Sequence, residues 1–228
     1  MSSDYPKTSN ERASLYANAM HEVRMRLRMI EQLQKTTLPQ LFVYESCQLQ
    51  LRMCCECLAV ACLAAQGDFA THKAFRDRYE PPVIFKALES LYPDFFPKPS
   101  TLTHSAAGWH FDGGAVRPLA IVRAEVERIW NVSGSHLHRA SAKRYIARTN
   151  KVDFKEIKKA TEAFWWLIVD HAIVIAPVVS SATATILHVM MDRKSDLMRF
   201  NFLHVDKAAH TIAVEEFTIL TAEEAANT

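Results

Sequence analysis

The sequence has little glycine, no strong excess of either charge, and none of the short motifs that bind common cofactors. Only 5 of its 228 residues are glycine, which is few for an all-β fold with many turns. It contains no phosphate-binding glycine-rich loop, dinucleotide fingerprint, HExxH motif or paired CxxC sequences, and this disfavours most cofactor enzymes. With 27 basic and 25 acidic side chains, net charge indicates no class of partner. We expect neither a cofactor nor a metal ion.

The start of the chain also lacks a signal-peptide pattern, and charge, proline or glycine interrupts each apolar stretch before it reaches the length of a membrane span. Apolar residues make up 49% and charged residues 23%, an ordinary globular mixture. A length of 228 residues suits one large domain or two small ones. Composition therefore favours a soluble, mainly helical, cytoplasmic protein with no membrane partner.

All the cysteines lie in one apolar segment that has helical periodicity. Disulfide-stabilised domains instead distribute their cysteines among loops. A zinc site would use Cys54 and Cys57, but a second pair of ligands at the usual spacing is missing. We therefore expect the cysteines to be small, reduced core residues. They are Cys47, Cys54, Cys55, Cys57 and Cys62.

Apolar residues at helical spacing predict a helical bundle over residues 8–176. Thr8 and Glu11 fit a capping box before an amphipathic helix that ends near Lys35. Thr36 or Thr37 then caps a second helix, which is apolar nearly all round, belongs at the centre of the bundle, and stops at Gly67. Further helices are predicted at residues 68–79, 83–92, 119–130, 135–148 and 154–176.

Two segments interrupt this helical pattern. Residues 93–118 are rich in proline and glycine, which predicts a long irregular connection inside the bundle. Near the end of the chain, residues 185–191, 197–205 and 211–219 are β-rich runs separated by polar turns. They predict a three-stranded antiparallel meander, an appendage over residues 177–221, followed by a frayed tail at 222–228.

Three charged residues lie close together on the otherwise apolar second helix. Glu45, Arg52 and Glu56 fall within about 40° of one another on a helical wheel. Arg52 and Glu56 are also an i,i+4 pair. Charges on such a helix are paired inside the protein or face a cleft or a partner. An internal ion-pair network is the simpler interpretation, and a functional cleft or dimer surface is the alternative.

A second candidate group follows Ser133-Gly134, where we expect one helix to end and the next to begin. Ser135 and His138 would then be i,i+3 neighbours near a helix N-terminus, a location that suits anions. A serine–histidine nucleophile pair is chemically feasible, but neither an oxyanion loop nor a nucleophile elbow surrounds it. The alternative is a structural histidine hydrogen-bonded to the second helix.

The third candidate group is a basic segment. Residues 136–159 hold eight basic side chains against two acidic ones, a net +6 in a chain whose total is +2. The segment also includes Tyr145 and Phe154, so phosphate neutralisation could be combined with base stacking. A solvated helical face is the ordinary interpretation, and nucleic-acid binding is the functional one. The basic residues are Arg139, Lys143, Arg144, Arg148, Lys151, Lys155, Lys158 and Lys159.

Residues 45–56 (ESCQLQLRMCCE) and 132–138 (VSGSHLH) together resemble the HEPN-like helical superfamily. Many of its members carry an Arg-xxx-Glu helix packed beside a later helix that starts with a serine–histidine motif. The resemblance covers residues 11–176. It implies a helical fold and a homodimer. For active members it implies metal-independent ribonuclease activity, often in toxins, toxin–antitoxin systems or phage defence.

The chain departs from the superfamily's catalytic pattern, in which an arginine is followed four to six residues later by a histidine on one helix. Its match, Arg199 with His204, falls in the predicted meander, where a strand directs the two side chains to opposite faces. An alternative is a composite site built from Arg52 and His138, in which Glu56 orients one of the two side chains.

We therefore expect a self-associating, RNA-linked or defence-associated binding protein without strong catalytic activity. One alternative is a metal-independent endoribonuclease that uses Arg52 and His138, and another is a structural partner-binding bundle. The resemblance places the two motif helices side by side. We expect His138 or Ser135 within hydrogen-bond reach of Arg52 or Glu56, directly or through one water.

Overall fold

A computed structural model shows a mainly helical protein that also contains an antiparallel sheet. It describes residues 8–67, 78–106, 108–114, 117–137, 152–175, 183–195, 197–206 and 211–217. The helices in these ranges are α1 (Ser9–Leu33), α2 (Gln40–Gln66), α3 (Pro81–Leu91), α4 (Arg123–Leu137) and α5 (Lys155–Ile168). The strands are β1 (Lys98–Pro99), β2 (Thr101–Ser105), β3 (Gly108–Asp112), β4 (Asp170–Ile175), β5 (Thr183–Met191), β6 (Met198–Asp206) and β7 (Thr211–Phe217). Most of the helices predicted at 68–79 and 135–148, and the predicted tail, lie outside the described residues.

Helices α1 and α2 form an antiparallel pair whose ends follow the sequence signals. The Thr8 hydroxyl accepts a hydrogen bond from the backbone of Glu11, and the Glu11 carboxylate accepts one from the backbone of Thr8, which confirms the capping box. Gly67 ends α2 with a φ of 69°, a left-handed conformation that favours glycine. Thr36 does not cap α2, because its hydroxyl donates to the Leu33 carbonyl at the end of α1.

Helix α2 lies at the centre of the helices and packs against α1, α3 and α4. Its cysteines are free, and all but Cys57 are buried, as small core residues should be. Burial raises the pKa of the Cys47 thiol to about 11 and disfavours the thiolate. By length and composition α2 could cross a membrane, which the sequence prediction overlooked. However, 67% of its apolar window is buried inside the protein, as in the core helix of a globular fold.

The predicted helix over residues 154–176 is wrong in its last third. Helix α5 ends at Ile168, and residues 170–175, which include the β-branched run Ile-Val-Ile, form strand β4 instead. The three predicted strands correspond to β5, β6 and β7, but the sheet is larger than a three-stranded meander. It has five antiparallel strands in the order β1-β4-β5-β6-β7, so it includes strands on both sides of residue 176.

The connection at residues 93–118 is not wholly irregular. It contributes β1 to the large sheet, and its β2 and β3 form a separate two-stranded hairpin. Threonine and aromatic side chains favour extended structure here, and Gly108 follows the turn with a φ of 106°. The proline and glycine residues of this segment therefore lie at the ends of short strands or outside them.

The two faces of the five-stranded sheet have different surroundings. Side chains alternate along each strand, and one face buries His171, Leu187, Val189 and Phe200 in the same core as the helices. The opposite face carries Asp170, Ala172 and His188, and the hairpin's Phe111 contacts His188 there with ring centroids 6.4 Å apart. The second face is where the structure places an additional polar group, described below.

Candidate functional site

Arg52 and Glu56 lie one turn apart on α2 and face Trp130 of α4. Arg52 Nε is 3.1 Å from Glu56 Oε1, and Trp130 Nε1 donates to the same oxygen at 2.8 Å. The Arg52 guanidinium carbon lies 4.3 Å from the centre of the Trp130 ring, a cation–π distance. The Arg52 and Glu56 side chains are only 17% and 13% exposed. These contacts make an internal network between two helices. Glu45, two turns before Arg52, is half-buried.

Ser133 and Gly134 lie inside α4, so the helix break predicted there is wrong. The Ser133 hydroxyl donates to the buried Gln48 Oε1 at 2.8 Å, which fixes α4 against α2. A Cβ on Gly134 would overlap Arg52 Nη1, so the glycine provides the space for the guanidinium. Close packing of a charged side chain therefore explains this glycine better than a helix end does.

Ser135 accordingly sits in the last turn of α4, where it cannot use the positive end of a helix dipole. It is exposed, and its hydroxyl donates to the Val132 carbonyl at 2.7 Å. His138 lies outside the described residues, as do Arg139, Lys143, Arg144, Arg148 and Lys151. The structure brings the two motif helices together, as expected, and it leaves the predicted His138 contact as a prediction.

An aromatic cluster lies between α2, the end of α4 and the start of α5; its members are Tyr44, His136 and Phe154. The Tyr44 and His136 rings meet edge to face with centroids 5.4 Å apart, and the Tyr44 hydroxyl is 3.4 Å from His136 Nε2. Phe154 packs edge-on against Tyr44 at 5.7 Å. His136 is exposed, and so are Lys155, Lys158 and Lys159 of α5. Tyr44 and His136 were not predicted as site residues, because only the tertiary fold brings them beside Phe154.

A second polar group lies on the outer face of the sheet. The Asp170 carboxylate accepts from His188 Nε2 at 2.7 Å and from Arg117 Nη2 at 3.2 Å. Arg117 also donates to the Asp170 backbone carbonyl at 3.1 Å. This group was not predicted from the sequence. The available signal was the histidine at position 188, which interrupts the apolar run of β5.

His171, next to Asp170, faces the opposite side of the sheet and is fully buried. Its Nδ1 lies 3.3 Å from the Ile168 carbonyl, which can only accept a hydrogen bond, so Nδ1 carries the proton. Nε2 is then free to accept from the Tyr16 hydroxyl at 2.8 Å. Burial, followed by the nearby charge of His188, lowers the pKa of His171 to about 3. His171 is therefore a neutral, structural histidine.

Arg199 and His204 both lie on β6, which confirms that this pair is on a strand. Their partners in β5, Met190 and Thr185, are also five residues apart, so the two side chains occupy opposite faces. They cannot form a helical Arg–His pair. Within the described ranges, no cluster of three or more potential metal ligands is present.

Neither the described geometry nor comparison assigns a family. No protein-family model, characterised protein or solved structure matches the chain. The resemblance to the HEPN-like superfamily therefore stays a hypothesis that depends on residues 45–56 and 132–138.

Proposed function

We propose that this protein is a HEPN-like RNA-binding protein that lacks strong catalytic activity. The observation that carries the proposal is the position of the aromatic cluster of Tyr44, His136 and Phe154. His136 is the first residue of the basic segment 136–159, and Phe154 lies near the end of the same segment. Aromatic and cationic side chains therefore occur together. Single-stranded RNA is recognised by this combination of stacking and phosphate neutralisation.

The electrostatic part of the proposal depends on α5. Lys155, Lys158 and Lys159 are exposed on its outer side, while Ile157 and Ala160 are buried on the inner side. These three lysines of the basic segment therefore face solvent on the helix that begins beside Phe154. Such a surface attracts phosphates without sequence preference, and its contribution weakens with salt because counterions are released on binding.

The proposed lack of catalysis depends on how Arg52 and Glu56 are used. Glu56 Oε1 is already ion-paired with Arg52 and accepts a hydrogen bond from Trp130, and the Trp130 ring covers the guanidinium. A catalytic arginine needs to reach a phosphate, whereas this one is mostly buried and engaged within the protein. The proposal also includes a homodimer and a role in defence. Both depend on the superfamily resemblance alone.

Fluorescence anisotropy with a labelled single-stranded RNA, measured over a salt series, tests the proposal. We expect affinity to fall steeply with salt, and Tyr44→Ala to weaken binding by about tenfold, within the range of one lost base stack. Lys158→Ala should reduce the salt slope by about one. The matched controls are Trp109→Ala, an aromatic 46% exposed on the hairpin, and Lys86→Ala on α3. Equal losses in the controls, or no binding by the wild type, would refute the proposal.

The same RNA incubated in EDTA distinguishes the enzyme alternative. We expect no cleavage. Metal-independent cleavage by the wild type that is lost in both Arg52→Lys and His138→Ala would show an endoribonuclease with a composite site. A chain that neither binds nor cleaves RNA would instead favour the structural partner-binding bundle.

A further inference from the structure

A cavity of about 230 Å³ lies on the outer face of the sheet, beneath the β2–β3 hairpin. Its walls are mostly apolar and include two aromatic rings, Phe96 and Phe111. The floor is formed by the sheet, where Ala172 lies directly beside His188 in the β4–β5 ladder. A water molecule occupies roughly 30 Å³ of liquid, so the cavity has room for one small ring compound and is below the usual size of a drug-sized site.

Ser100 is an uncharged polar residue in the lining of this cavity. Its side chain is fully buried, and its Oγ has no hydrogen-bond partner among the described residues. The serine backbone is fixed, because its N–H donates to the Asp170 carbonyl at 3.2 Å. A buried hydroxyl without a partner is costly, so a ligand group that hydrogen-bonds to it would be stabilised.

His188 supplies a second unpartnered polar atom on the same sheet face. Its Nε2 bonds to the Asp170 carboxylate, which only accepts, so Nε2 carries a proton. Nδ1 is buried and lacks a partner in the described part of the chain. Phe111 of the hairpin contacts this imidazole and also lines the cavity.

The charges of the described residues around the cavity are paired. Lys98 and Asp94 both line it, and Lys98 Nζ lies 2.8 Å from Asp94 Oδ1, with side chains 61% and 65% exposed. Asp170 is paired with Arg117. The described residues around the cavity therefore offer a ligand no unpaired counter-charge, which favours a neutral ligand. Aromatic walls favour a flat ring, and a hydroxyl that both donates and accepts favours a ring with polar edges.

From these observations we propose that the cavity beneath the hairpin binds a small, neutral, planar heterocycle of the nucleobase class. Its ring packs against Phe111 and Phe96, and one polar edge hydrogen-bonds to Ser100 Oγ. This site uses none of the residues of the aromatic cluster. Its success or failure is therefore distinguishable from that of the proposed RNA surface.

The test is binding of adenine and uracil to the full chain, measured by saturation-transfer NMR and by calorimetry. Benzoate is the charged planar control and cyclohexanol is the neutral non-planar control. We expect at least one base to bind, and both controls to bind at least tenfold more weakly. Ser100→Ala should weaken base binding about tenfold through the lost hydrogen bond. Phe111→Ala should weaken it to a similar extent through the lost aromatic wall.

Two further variants make the result specific to the cavity. Ala172→Leu fills the space and should abolish binding, while Thr103→Ala, which removes an exposed hydroxyl from the hairpin, should leave it unchanged. Should Ala172→Leu fail to fold, Ser100→Ala and Phe111→Ala still decide the question. The proposal is overturned if neither base binds, if cyclohexanol or benzoate binds as well as a base, or if Ser100→Ala and Phe111→Ala both bind like the wild type.

Discussion

At the scale of single residues, the surroundings of Arg52 combine three kinds of contact. The guanidinium pairs with Glu56, lies against the Trp130 ring, and occupies the space that Gly134 leaves open. Glu56 is mostly buried, so removal of its partner leaves a carboxylate with poor access to water. The remaining Trp130 N–H compensates only one of its oxygens.

We predict that Arg52→Ala lowers the free energy of unfolding by about 3 kcal/mol, because it leaves the mostly buried Glu56 carboxylate without its ion-pair partner. The matched control is Arg128→Ala on α4, whose arginine is 45% exposed and pairs with Glu125. Exposed pairs contribute little, so this variant should cost less than about 1 kcal/mol. Urea denaturation measures both. Similar losses for the two variants would contradict an internal structural role for Arg52.

Gly134→Ala should lower stability in the wild-type background, because the new methyl group displaces the Arg52 guanidinium. In the Arg52→Ala background the clash disappears, and alanine's helix propensity should then stabilise α4 by up to about 1 kcal/mol. A double-mutant cycle by urea denaturation measures this reversal of sign. The same sign in both backgrounds would show that Gly134 does not serve to accommodate Arg52.

At the scale of elements, His171 couples β4 to α1 through the Tyr16 hydroxyl. Its pKa is about 3 in the folded protein against an ordinary value of 6.5. The unfolded state therefore binds more protons between these values, and stability must fall as the pH falls through this window. We predict that His171 contributes a slope of up to about 1.4 kcal/mol per pH unit below pH 6.5.

Denaturation at pH 7 and at pH 5 checks this prediction. The substitution His171→Gln keeps hydrogen-bonding capacity toward Tyr16 but removes the titrating proton. The difference in stability between the two pH values should therefore be smaller in the variant. Parallel pH profiles for the wild type and the variant would exclude His171 as a source of acid sensitivity.

The ends of the helices differ in how well they could be predicted from the sequence. The start of α1 and the end of α2 were predicted correctly, because Thr8, Glu11 and Gly67 act through local backbone hydrogen bonds. The end of α5 was not predicted correctly, since a buried helix and a buried strand have the same apolar composition. Strand β4 forms because it pairs with β5, and this pairing is not visible in the local sequence.

In the candidate site, too, contacts within one helix were predicted and contacts between helices were not. Arg52 and Glu56 were identified because they are charges on an apolar helix and because their spacing alone makes them neighbours. Trp130 and Tyr44 were not identified as their partners, because contacts between helices depend on packing. Gly134 was misinterpreted for this reason, since the guanidinium that requires it comes from another helix.

At the scale of the whole molecule, Arg193 joins the sheet to two helices. It lies in the turn between β5 and β6, and it donates to Glu31 of α1 at 2.7 Å and to Glu162 of α5 at 2.9 Å. Its guanidinium carbon is 5.1 Å from the centre of the Trp165 ring. Because one face of the sheet also shares the core of the helices, we expect the sheet and the helices to unfold together.

We therefore predict one cooperative transition, with coincident curves from tryptophan fluorescence and far-UV circular dichroism. Arg193→Ala removes links to α1 and α5 together and should cost about 1–2 kcal/mol, more than a single exposed pair. Lys194→Ala, at the exposed neighbouring position, should change stability by less than about 0.5 kcal/mol. Two separated transitions in the wild type, with only one shifted by Arg193→Ala, would instead show that the strands unfold as an independent appendage over residues 177–221.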